Sequence, residues 1–255
     1  FNLILIGLMD VMYRSGPLLS TASREQLPLA ALGILLIAIA GGSILLGSRV
    51  WDGAIGWISL YSIVLVLLYV WGSRRIFRSK RIRTVEPTQL QYKHISSRRI
   101  YTIFTISALG IIGAGTWLAL IGDEIAARTG WDTTFVGSLF LAATTSLPEL
   151  VVSIAALRIG ARDMAIANML GSNMFNMGIV IAGDDLFYTS GSIFSTGSQG
   201  HVFSAAIAIL MTLIVIAGLI VRPRRKVLRS ISWYTVVLVI VYLGGAYALF
   251  VAPWE

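Results

Sequence analysis

The sequence predicts an all-α integral membrane protein, and three observations carry that prediction. Hydrophobic residues supply 56% of its 255 residues and charged residues only 13%, with a mean hydropathy of +0.82, a balance foreign to water-soluble domains. Apolar runs near the ~20 residues needed to cross a bilayer recur along the chain. The net charge of +8 is segregated, with the basic residues gathered between alternate runs.

Taken in order, residues 1–10 read as the end of a helix whose start lies upstream, since Phe1 is not an initiator methionine. Complete spans are expected at 28–48, 54–72, 101–122, 134–157, 164–183, 202–221 and 232–252. With the first fragment entering the cytoplasm, the inner loops collect every Lys and Arg except Arg49 and Arg128, the asymmetry of the positive-inside rule. Residues 73–99 form the one long polar linker, expected to be cytoplasmic and to touch anionic lipid. Glu86 is its only acid, too few oxygen ligands for a regulatory Ca²⁺ loop.

This charge placement points to membrane lipids as partners and away from nucleic acid. Trp51, Trp71, Trp131, Trp233 and Trp254 fall near span ends, as an aromatic belt requires. With no cysteine, disulfides and thiol redox chemistry are excluded. His94 and His201 have no metal-site companions, and no cofactor is expected. Asp184 and Asp185, just beyond one span, are expected to be solvated.

The chain also echoes itself. FNLILIGLMDVMYRSGPLLSTAS resembles FNMGIVIAGDDLFYTSGSIFSTGS, so that Asn2 matches Asn176 and, after a one-residue insertion, Asp10, Tyr13, Ser15, Gly16 and Ser20 match Asp185, Tyr188, Ser190, Gly191 and Ser195. Five spans separate the copies, which therefore run in opposite directions, as in transporters built from inverted halves.

The chemistry concentrates in residues 134–183. Glu149 lies mid-span, where a charged side chain costs ~2.5 kcal/mol or more and marks a site facing a polar cavity or a partner. The alternative is a neutral carboxyl hydrogen-bonded within the bundle. Pro148 cannot donate to the carbonyl of Thr144, so the helix opens one turn before Glu149. Thr145 and Ser146, four and three residues before Glu149, are expected on its face. Such hard oxygens suit Ca²⁺ or Na⁺. In the following span Asn168, Ser172 and Asn176 recur every four residues, a stripe that reads either as interhelical hydrogen-bond glue or as the second wall of a cation site.

TTSLPEL followed, after a short basic linker, by AIANMLGSNMFN resembles the second α-repeat of the calcium/cation antiporter superfamily, the sodium/calcium exchangers, whose signature there is GTSLPE and then GSN. Thr144 stands where that family usually has Gly, and the GNAAE-like signature of the proton/calcium branch is not present. The resemblance implies an inverted-repeat antiporter fold of ten helices, about seven and a half of them here. Residues 1–72 would close the first half, 73–100 the basic linker and 101–255 the second half. It also implies that Glu149, Ser146, Ser172 and Asn176 line the ion sites, with carbonyl ligation near Ala142 and Thr145. Asn2 would be the first-half counterpart of Asn176, and preceding helices of the same protein would supply a partner for Glu149.

The expected function is exchange of Ca²⁺ for Na⁺ by alternating access in a bacterial or archaeal cell membrane. Proton coupling is the alternative, and a cation channel a more distant one. An intramembrane enzyme is disfavoured because no intramembrane His or Lys stands by as a base.

Overall fold

The computed structural model describes residues 1–47, 54–80, 96–131, 136, 142–227 and 230–252. Apart from one two-residue hairpin, its regular elements are helical. These are α1 (Asn2–Met12), α2 (Leu18–Thr21), α3 (Leu27–Gly47), α4 (Leu60–Lys80), α5 (Ser97–Thr129), α6 (Ala142–Thr145), α7 (Leu147–Arg158), α8 (Arg162–Phe175), α9 (Ile181–Phe187), α10 (Gln199–Val221) and α11 (Trp233–Val251). A π-turn, Asn176–Val180, joins α8 to α9 without a break in the helix. Six helical stretches among the described residues are long and apolar enough to cross a membrane.

Most spans fall within a few residues of the sequence expectation, because apolar runs that long have no other way to satisfy their backbone in lipid. The span expected at 54–72 starts later. Ala54–Ile55 and Ile58–Ser59 pair as a hairpin around Gly56, whose φ of +69° suits a glycine, and α4 begins only at Leu60. Helical structure also reaches into the polar linker from both sides, to Lys80 and from Ser97, while residues 81–95 lie outside the described set. Of the span expected at 134–157, residues 134–135 and 137–141 lie outside it as well.

The packing centre is the crossing of α3 and α10, which touch more extensively than any other helix pair. Small residues allow it: a Cβ on Gly41 would lie 2.9 Å from the Ala205 Cβ, so the backbones approach as small-residue interfaces permit. Around this pair α1, α8 and α11 contribute fully buried Ile6, Met9, Ile166, Met169 and Leu238. The long α5 presents Phe104, Leu109, Ile112, Trp117 and Leu120 outward, and none of its most apolar window is buried within the protein. An apolar surface of that extent belongs against lipid.

The internal echo in the sequence is an echo in geometry. Gly16 and Gly191 adopt φ of +140° and +143°, a region that favours glycine. Four residues later, the Ser20 and Ser195 hydroxyls each donate to the carbonyl three residues back, at 2.7 Å in both cases. Asp10 accepts the N–H of Leu18 at 2.8 Å and Asp185 that of Ile193 at 3.0 Å, both eight residues on.

Each of these carboxylates also seats the first turn of a helix from the other half. Asp10 accepts the Ser232 N–H and the hydroxyls of Ser232, Tyr234 and Thr235, at the start of α11. Asp185 accepts the Ser59 N–H and the Ser62 hydroxyl, at the start of α4, each at 2.7 Å. The two knots lie at opposite ends of the bundle, because α3 runs from the Asp10 end, where Gln26 meets Asp163, to the Asp185 end, where Gly47 meets Phe194.

Asp185 is therefore not the solvated residue the sequence suggested. It is fully buried, since three protein donors replace its water, whereas the adjacent Asp184 is exposed.

Candidate functional site

The helix carrying Glu149 is interrupted where expected. α6 ends at Thr145, Ser146 takes φ −91° and ψ 0°, and α7 restarts at Leu147 with Pro148 in its first turn. Pro is tolerated there because the first turn has no intrahelical N–H partners to lose. Glu149 thus sits in the first turn of α7, where the N-terminal end of the helix dipole favours a carboxylate.

Ser146-x-x-Glu149 matches the capping-box pattern, yet Ser146 makes no side-chain cap. Glu149 turns instead toward α8, where the Ser172 hydroxyl donates to its Oε1 at 3.0 Å. Its Oε2 is buried with no hydrogen-bond partner among the described residues.

α7 and α8 are held together beneath this contact. The Asn168 amide donates to the Glu149 carbonyl at 3.1 Å and to the Ser153 hydroxyl at 3.0 Å, and Ser153 donates to the Ala165 carbonyl at 3.2 Å. Asn168, expected in the polar stripe with Ser172 and Asn176, here serves as hydrogen-bond glue between the two helices, while Ser153 was not assigned to the site from the sequence alone. The signal for Ser153 was its spacing of four from Glu149, which puts the two on one face of α7.

The expected ligand set divides between two cavities. Glu149 and Ser172, with Asn168, line one of about 430 Å³ that also borders Tyr69, Ser73 and Phe77 of α4. Ala142, Thr145, Ser146, Asn176 and Asn2 line another of about 620 Å³, together with Asn173 and His201. Thr145, Ser146 and Glu149, expected on one face, straddle the turn at Ser146, the first two lining the larger cavity and Glu149 the smaller.

The Ala142 carbonyl already accepts the Ser146 N–H at 3.2 Å and the Thr145 hydroxyl at 3.4 Å. Asn176 opens the π-turn, a geometry often found at functional positions. Asn2, only 3% exposed, has a buried Oδ1 with no partner among the described residues.

What these residues define is a helical membrane protein whose polar site is built at a broken helix and the helix packed beside it. The family model described as sodium/calcium exchanger protein matches residues 100–251, and the chain belongs to that family. Members of this family are exchangers rather than enzymes.

The chain is 29% identical over 156 residues to sodium/calcium exchanger MaX1 of Methanosarcina acetivorans, covering 60% of this chain and 41% of that protein. Against inner membrane protein YrbG of Escherichia coli it is 29% identical over 210 residues, 75% of this chain and 58% of YrbG. Sodium/potassium/calcium exchanger 4 of Mus musculus is 30% identical over 131 residues, 50% of this chain and 20% of that protein. The chain thus spans less than two thirds of each. No solved structure matches it.

Proposed function

We propose that the protein exchanges Ca²⁺ for Na⁺ across a bacterial or archaeal cell membrane, with Glu149 at the centre of the cation site. One observation carries the reading. Glu149 holds one carboxylate oxygen against Ser172 and keeps the other buried with no donor among the described residues. A carboxylate so placed calls for a cation or a proton, since an unsatisfied buried charge is costly.

The candidate ligands among the residues lining the two cavities, Glu149, Ser172, Ser146, Thr145, Asn176 and Asn2, offer hard oxygens and amides. Such a set suits Ca²⁺ and Na⁺ over softer metals. The Ala142 carbonyl joins it when its two donors give way. Ca²⁺ and Na⁺ compete for the same oxygens, and two or more Na⁺ replace one Ca²⁺ so that the site's charge stays compensated.

The two cavities approach the α6–α7 break from different sides, one along α4 and one toward His201 and α10. They supply the two routes that alternating access needs, with the site crossing only when loaded. The Asp10 end of the bundle and the linker 73–100 face the cytoplasm, because the basic residues gather there.

Ca²⁺ uptake into proteoliposomes bearing the full-length protein, under an imposed Na⁺ gradient, a proton gradient or neither, tests the coupling. Uptake driven by Na⁺ alone is expected. Uptake driven only by protons reassigns the counter-ion, and flux that needs no counter-ion contradicts exchange.

A further inference from the structure

At the end of the bundle that carries Asp10, the chain leaving α10 makes a turn that its sequence does not favour. Arg222 caps α10 with φ +49° and ψ 68°, the one non-glycine residue at positive φ among the described residues. Such a conformation disfavours a residue with a Cβ. It persists only where surrounding contacts hold it. Here the Arg222 guanidinium donates to the Ala22 carbonyl at 3.2 Å, tying the turn to the segment between α2 and α3.

The result is a groove of about 780 Å³ lined by Ser20, Arg24, Arg222 and Arg224, with Ile220, Val221 and Pro223 completing it. Three arginines from two segments of the chain line it. None of them is in an ion pair among the described residues, and no carboxylate lines the groove. Glu25, beside Arg24 in sequence, does not line the groove, and Asp163 is engaged by the Ser23 N–H at 2.7 Å and by Gln26.

We propose that this groove binds the phosphate of an anionic phospholipid headgroup. Guanidinium forks match phosphate oxygens bidentately. The lipid, rather than a free anion, follows from what lies beside the arginines. Ile220 and Val221 are 53% and 65% exposed on the last turn of a membrane-spanning helix, so acyl chains descend along α10 while the phosphate stays at the arginines. Snorkelling basic side chains at a span end place charge at headgroup depth. The site rests on the chain spanning a membrane and not on which ions it exchanges.

The test is lipid binding by the full-length protein, measured by native mass spectrometry from an uncharged detergent. Phosphatidylglycerol and phosphatidylcholine are titrated against wild type, the double variant R24Q/R224Q and a control, R14Q/R158Q, that removes two exposed arginines outside both the groove and the linker. Phosphatidylglycerol is expected to bind in preference to phosphatidylcholine. Its affinity should fall about 30-fold in R24Q/R224Q and stay within about twofold in the control, given the usual gain per basic residue at a charged membrane surface.

Equal losses in the two double variants would show diffuse charge and overturn the site, as would equal binding of the two lipids. Full displacement of the lipid by inorganic phosphate at the same concentration would mean that the groove takes a soluble anion, which also overturns the proposal. Should R24Q/R224Q fail to fold, R24Q and R224Q are read singly, each with an expected loss of about fivefold and with no loss as the contradicting result.

Discussion

The Tyr69 ring meets Phe175 edge-on, with centroids 6.2 Å apart, and Tyr242 meets Phe1 in the same way at 5.8 Å. Each tyrosine comes from the last helix of its half, and each phenylalanine immediately precedes a site asparagine, Asn176 or Asn2. Edge-to-face pairs are worth about 0.5–1.5 kcal/mol beyond the area they bury. They therefore fix where α4 and α11 stand against the helices that carry these amides.

Gly178 makes the first of these contacts possible. A Cβ there would lie 2.5 Å from the Tyr69 Cβ and 2.8 Å from its Cγ, the stiff base of the side chain rather than its tip. Gly178→Ala should destabilise the protein by about 1–3 kcal/mol and lower its melting temperature in detergent. Gly110→Ala, where an added Cβ would meet no described residue beyond its own helical turn within 4 Å, should leave the melting temperature unchanged or raise it, since Ala favours a helix. Equal effects of the two substitutions would refute the close approach.

Asp10 collects more than its counterpart: two backbone N–H groups and three hydroxyls converge on it, against two N–H groups and one hydroxyl on Asp185. Asp10→Asn removes the charge and turns one acceptor into a donor facing donors. With hydrogen bonds to charged groups worth about 1.5–3 kcal/mol each, a loss of about 3 kcal/mol in unfolding free energy is expected, and a smaller one for Asp185→Asn. Denaturant unfolding of the two variants checks the order. The reverse order would mean that the Asp10 cluster is not fully formed in solution.

Much of this arrangement was legible in the sequence, and the omissions have physical causes. Span positions followed from length and hydropathy, since lipid leaves few options. The break before Glu149 followed from Pro148. The repeat around Asn2 and Asn176 was visible as letters, and it foretold paired glycines and serine turns.

Its extension was missed: ISLYSIVLVLLYVWG at Ile58–Gly72 repeats as ISWYTVVLVIVYLGG at Ile231–Gly245. Aligning those copies sets Ser59 and Ser62 against Ser232 and Thr235, the residues that the two buried aspartates hold. Asp185 was misjudged because burial by a segment more than a hundred residues away leaves no local mark. The division of the site into two cavities could not be read either, since a helical period holds only where the helix is unbroken.

Among the described residues, Ser172 donates the one hydrogen bond that the Glu149 carboxylate receives. Ser172→Ala removes both that bond and a candidate oxygen ligand while leaving the carboxylate. Ca²⁺ affinity, measured calorimetrically, should weaken about three- to tenfold, the worth of one such interaction, with the fold intact by circular dichroism. An unchanged affinity would place Ser172 outside the cation's reach.

The central claim is that Glu149 supplies the negative charge for transported Ca²⁺. The most direct test compares Na⁺-gradient-driven Ca²⁺ uptake by the full-length protein with that of Glu149→Gln, in the same proteoliposomes and at matched protein content. Gln keeps the shape and the contact with Ser172 but not the charge. Uptake should fall at least a hundredfold, about 3 kcal/mol or more, as expected on removing the charge from a desolvated ion site. Uptake by Glu149→Gln within a factor of two of wild type would contradict the account and move the ion site elsewhere.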